Sequence, residues 1–151
     1  MPSNRVVHFI SFFILLFPFQ LAAQNLPTVR GQWIGTLTQE QGGYRDQYTF
    51  EIYFQTDANG QLAGTTYVKA PSVLGVFSFT GSKRGNVYYI IEKDLRYSRK
   101  PEDLSWCFKS MQLRLIQRGA DWYLEGPWQG TSGYGTCIPG WLSLRWQPPK
   151  V

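Results

Sequence analysis

From residue 30 onward the chain alternates its apolar residues and never repeats them at a helical interval. Eight segments read apolar on one side and polar on the other with a period of two, roughly 8–12 residues apart, with turn chemistry between them. They cover residues 30–39, 47–55, 61–70, 74–82, 87–92, 106–118, 122–129 and 141–147. The links between them are mostly short, so neighbours in sequence should pair antiparallel. Strands of this number and spacing predict an all-β fold, a single eight-stranded up-and-down barrel closed on itself so that no edge is left exposed.

The alternation also sorts the faces. Tyr48, Phe50, Ile52 and Phe54 share one side of their strand, and Thr49, Glu51, Tyr53 and Gln55 the other. Leu62, Thr66 and Val68 oppose Lys69, and Met111, Leu113 and Leu115 oppose Arg114. Between Trp106 and Met111 this parity breaks at Lys109, where a bulge is expected. In the fifth segment Tyr89 is assigned to the interior and Tyr88 to the outer face, beside Tyr53 and Tyr67. The polar stretch 93–103, with Arg96, Arg99 and Lys100 near Glu102 and Asp103, reads as a loop. Asn59-Gly60 supplies the positive φ of a hairpin turn.

Residues 1–23 have a different character. Arg5 precedes an apolar run too short to span a bilayer, and Gln20-Leu-Ala-Ala23 offers small residues for cleavage, so this is read as a secretory signal. Residues 24–151 then form the barrel domain, with the periplasm or the cell exterior as destination. The segment removes His8, the single histidine of the chain. No Ser-His-Asp or Cys-His set and no histidine-ligated metal site remains, so neither a catalytic residue, a metal nor a cofactor is expected. The net charge of +5 falls to +4 without Arg5 and comes from scattered residues, which gives no footing for nucleic acid. Charges at Glu51, Lys69 and Arg114 on the outer face speak against membrane insertion. Cys107 and Cys137, the two cysteines, are read as one disulfide of an oxidising compartment.

Gly31-Gln-Trp33, near the start of the first strand, resembles the Gly-x-Trp signature that opens lipocalins and related calycin barrels. The resemblance implies a ligand-binding antiparallel barrel in which a late arginine packs over this tryptophan, and Arg145 is the matching position. The chain is shorter than most lipocalins, and no helix follows its last strand.

Two groups of residues are candidates for a ligand site. In the glycine-rich stretch 126–141, Trp128, Tyr134 and Trp141 could stack against a sugar or an aromatic ring at the barrel mouth. Tyr48, Thr66 and Tyr89 could orient a small apolar ligand inside. Each group also has a plain explanation as filled core. Glu51 and Glu125 are the strand carboxylates a hydrolase would need, and both sit on polar parity, as solvated surface groups do. The expectation is therefore a non-catalytic binding protein for a small apolar molecule or carbohydrate. The alternative is a protein-interaction module with a filled barrel. A cavity of roughly 300 Å³ or more would favour the first, and a filled interior the second.

Overall fold

The structure, a computed structural model, describes residues 29–150. The signal segment expected over 1–23 lies outside the described residues. Among the described residues there are nine strands: β1 (Gly31–Thr38), β2 (Gln47–Thr56), β3 (Leu62–Ala70), β4 (Val73–Arg84), β5 (Val87–Arg99), β6 (Phe108–Arg118), β7 (Asp121–Ser132), β8 (Gly135–Thr136) and β9 (Gly140–Gln147). Each strand from β1 to β7 pairs antiparallel with the next, and β9 lies between β7 and β1 and closes the ring. The result is a closed eight-stranded up-and-down barrel, with the two-residue β8 folded back on the end of β7.

Turn chemistry separates the two ends. At one end the links are short. In one of them the Asp57 carboxylate accepts the backbone N–H groups of Asn59 and Gln61 at 2.8 and 2.9 Å, and Gly60 has a φ of 76°. Val29 and Trp33 fill this end, and the Trp33 indole donates to the Val29 carbonyl at 2.8 Å. At the other end lie three long connections, the loops 39–46 and 100–107 and the segment 133–139 that carries β8. Midway, Phe50, Ile52, Phe77, Ile90, Leu113 and Leu144 are fully buried against one another. Each such side chain contributes about 1.5–3 kcal/mol relative to exposure. The centre of the barrel is filled.

Several expectations are corrected. The stretch 93–103 is not all loop, because β5 runs on to Arg99, paired with the first half of β4 through two register shifts. These irregularities lie in the β4–β5 pair, whereas β6 keeps one register with β5 and one with β7 past Lys109. Lys109 is simply inward, in the same row as Met111, Leu113 and Leu115. Glu92 is inward too, and this fixes the parity of β5: Tyr88 is buried inside, and Tyr89 lies on the outer wall. Arg145 does not cover Trp33. It points outward and pairs with Asp121 at 2.7 Å, while the residue opposite Trp33 on β9 is Trp146.

Candidate functional site

Where β5 and β6 diverge, the ladder between them ends at Ile91 and Ser110. The next facing residues, Glu92 and Lys109, replace it with side-chain chemistry. The Lys109 ammonium donates to the Glu92 carboxylate at 2.9 Å and to the Cys107 carbonyl at 3.0 Å, and lies 4.5 Å from the Phe77 ring centroid. Glu92 also accepts the Lys109 backbone N–H at 2.9 Å and the Thr66 hydroxyl at 2.5 Å. The side chains of Lys109 and Glu92 are 4% and 0% exposed. Buried charges persist only when paired and fully hydrogen-bonded, and both conditions hold here. The pair is internally neutral and presents no free charge.

Above Lys109 the barrel opens into a cavity of about 240 Å³. Leu37, Tyr48, Val68 and Trp128 form its walls, contributed by β1, β2, β3 and β7. Leu104, Trp106, Tyr44 and Ile138 form the rim from the three long connections. The loops are tied to the barrel and to one another. Cys107 and Cys137 form the expected disulfide, and the Glu40 N–H donates to the Pro139 carbonyl at 2.9 Å. Trp106 packs edge-on to Phe77, donates to the Ser98 hydroxyl at 2.7 Å, and lies over Gly75. A Cβ at Gly75 would come within 2.7 Å of that indole, so glycine there makes room for the rim.

The polar groups around the cavity are mostly committed. Trp128 donates to the Thr38 carbonyl at 2.9 Å, and Lys109 is engaged as above. The Tyr48 hydroxyl makes no hydrogen bond among the described residues. Burial, partly offset by Arg45, raises its pKa, so the phenol stays protonated at neutral pH and can donate. The arrangement can therefore take a neutral ring and offer it hydrogen bonds from Tyr48 and from Ser105 and Thr136, whose hydroxyls also make none among the described residues.

The residues expected to form a site are distributed differently. Tyr48 and Thr66 are both inside, Tyr48 at the cavity and Thr66 beneath it, occupied by Glu92. Tyr89 is outside. The three aromatics of the glycine-rich stretch share no surface: Trp128 is an inner wall, Trp141 is half exposed on the outside, and Tyr134 is 94% exposed in the β7–β8 turn. Glu51 and Glu125 take the outward parity expected of them but are not solvated: their side chains are 11% and 15% exposed, covered by ion pairs with Lys69 and Arg118 respectively, both at 2.6 Å. The residues that sequence reasoning missed are Glu92 and Lys109. Their signal was present, since each interrupts an apolar row with a charge, the two charges are opposite, and their strands are neighbours. No family model matches the chain, and no match was found among curated proteins or solved structures.

Proposed function

We propose that this is an exported, non-catalytic, lipocalin-like binding protein that takes a small neutral aromatic or similarly flat apolar molecule at the barrel mouth. The observation that carries this reading is the open, mainly apolar cavity above Lys109, with Tyr48 in its wall. At about 240 Å³ it is smaller than most drug-sized pockets, yet an apolar cavity of about 150 Å³ suffices for benzene. One or two rings fit, and a long lipid does not. The neutralised Lys109–Glu92 pair offers an anionic ligand no free cation. The apolar interior and the ion pairs on the outer wall are the reverse of a transmembrane barrel, which supports a role outside the bilayer.

A second reading has its own support. The filled centre of the barrel is what an interaction module would have, and the cavity falls short of the roughly 300 Å³ that would decide for ligand binding outright. Titrating the protein with indole, 2-naphthol and 2-naphthoate by heteronuclear NMR separates the two. Saturable shifts at Tyr48, Val68 and Trp128 for the neutral probes, weaker for naphthoate and lost in Val68→Trp, are expected. No localised shift with any probe would leave the interaction module standing.

A further inference from the structure

The outer wall carries a second hollow that the mouth reading does not use. Tyr89 on β5 faces Gln112 on β6, and Pro127 on β7 faces Trp141 on β9. The β6–β7 register sets Gln112 opposite Pro127, between the pairs Met111–Trp128 and Arg114–Glu125. All four side chains project outward, so they form one row across four strands. At three interstrand spacings, Tyr89 and Trp141 stand about 14 Å apart along the sheet. Two adjoining hollows, about 410 and 240 Å³, run along this row and share Tyr89, Gln112 and Pro127 in their linings.

The row's chemistry is specific. Trp141 is half exposed, and Pro127 adds a flat apolar surface between the aromatic ends. The Tyr89 hydroxyl, the Trp141 indole N–H and the amides of Gln112 and Gln129 make no side-chain hydrogen bond among the described residues. Of the charged groups at its border, Glu125 is paired with Arg118 and bonded to Ser143, Arg114 bonds the uncharged Asn86, Arg84 lies over the Tyr89 ring at 5.7 Å, and Glu40 makes no ion pair among the described residues. Pro127 is also anomalous, because a strand paired on both sides is where proline is least tolerated. The β6–β7 ladder is indeed interrupted at Gln112 and Leu113. Places where a local rule is broken are functional or strained sites.

We infer that this row is a binding site for a neutral oligosaccharide. Flat apolar faces separated by uncharged donors and acceptors complement a sugar chain, whose rings present C–H faces and whose edges present hydroxyls. The row itself carries no charge, and the charged groups at its border, Glu40, Arg84 and Arg114, are of mixed sign, so no field of one sign favours an ionic ligand. The trough lies on the outer wall and borders the mouth cavity only through Trp128, so this inference does not depend on the mouth reading.

Retention of residues 24–151 on insoluble cellulose, chitin, β-1,3-glucan and β-1,4-mannan tests it, followed by calorimetry with a soluble tetrasaccharide of whichever matrix retains it. Retention on at least one matrix is expected, with affinity about tenfold lower in both Trp141→Ala and Gln112→Ala and unchanged in Val68→Trp. Both substituted residues are on the outer wall, and an unchanged circular dichroism spectrum confirms that the variants fold. Retention on none of the four would overturn the proposal. So would retention that survives both outer-wall substitutions, or sedimentation showing a dimer that Trp141→Ala dissociates.

Discussion

Lys109 and Glu92 face each other inside the barrel at 2.9 Å, and the ion pair stands where the β5–β6 ladder ends. Glu92 receives three hydrogen bonds, two of them from Lys109 itself. Removing one partner of such a pair leaves a charge buried and uncompensated, at a cost of about 3–5 kcal/mol. Lys109→Met should therefore lower stability by about that amount. The double variant Lys109→Met/Glu92→Leu should cost distinctly less than the sum of the singles, because it removes both charges. Denaturant unfolding of the four proteins in the cycle measures this. Additive losses would mean that the two side chains do not act as a pair.

The disulfide closes the mouth across 30 residues of sequence, joining the loop before β6 to the loop before β9. A covalent link over a loop of that length contributes about 3–4 kcal/mol in the chain-entropy account. Adding reductant to the wild-type protein should shift its unfolding midpoint down by a corresponding amount, and should leave Cys107→Ser/Cys137→Ser unmoved. Because Lys109 donates to the Cys107 carbonyl, the double variant should also lose probe binding at the mouth before it loses the barrel.

Parity carried most of the fold, and it failed at two residues for one physical reason. Tyr48, Phe50, Ile52 and Phe54 were legible as inward because their outward neighbours are polar, and they are buried as read. In β5 every residue from Val87 to Ile91 is apolar, so Glu92 alone decided which face was out. A single carboxylate argues for solvent. Only when β6 brings Lys109 opposite does the inward choice become cheaper, and that contact joins residues 17 apart in sequence. The misreading of Glu92 exchanged Tyr88 with Tyr89, and that of Lys109 invented a bulge. The mouth was harder still to foresee. Its rim comes from three connections whose proximity depends on barrel closure, and Trp106 and Leu104 carry no periodic signal of their own. Arg145 shows the opposite case: its outward parity was plain in the strand, and the structure follows the strand, not the resemblance.

Glu125 should give the outer wall a measurable acid response. The Arg118 guanidinium hydrogen-bonded to it, helped by the Ser143 hydroxyl and opposed by burial, holds its carboxyl below the ordinary carboxylate range. A depressed folded pKa stabilises the protein above the ordinary value, and that stabilisation is lost as pH falls through the folded one. Arg118→Gln should therefore be less stable than wild type near neutral pH, with the gap closing on acidification. Denaturant midpoints at neutral and strongly acidic pH, at low salt, provide the check. A gap independent of pH would assign the loss to the packing of Arg118 over the Tyr123 ring instead.

Tyr48 distinguishes a wall that only packs from one that binds. Tyr48 lines the cavity together with Leu37, Val68 and Trp128, and its hydroxyl makes no hydrogen bond among the described residues. No buried side-chain oxygen lacks a partner among the described residues, so solvent reaches the Tyr48 hydroxyl, and Tyr48→Phe should leave stability within about 0.5 kcal/mol of wild type. If the hydroxyl serves a ligand, the same substitution should weaken 2-naphthol by about tenfold, the worth of one good hydrogen bond, and should spare naphthalene, which cannot accept one. Thermal unfolding gives the first quantity and NMR titration the second. Equal effects on both probes would mean that Tyr48 shapes the cavity without reading what enters it.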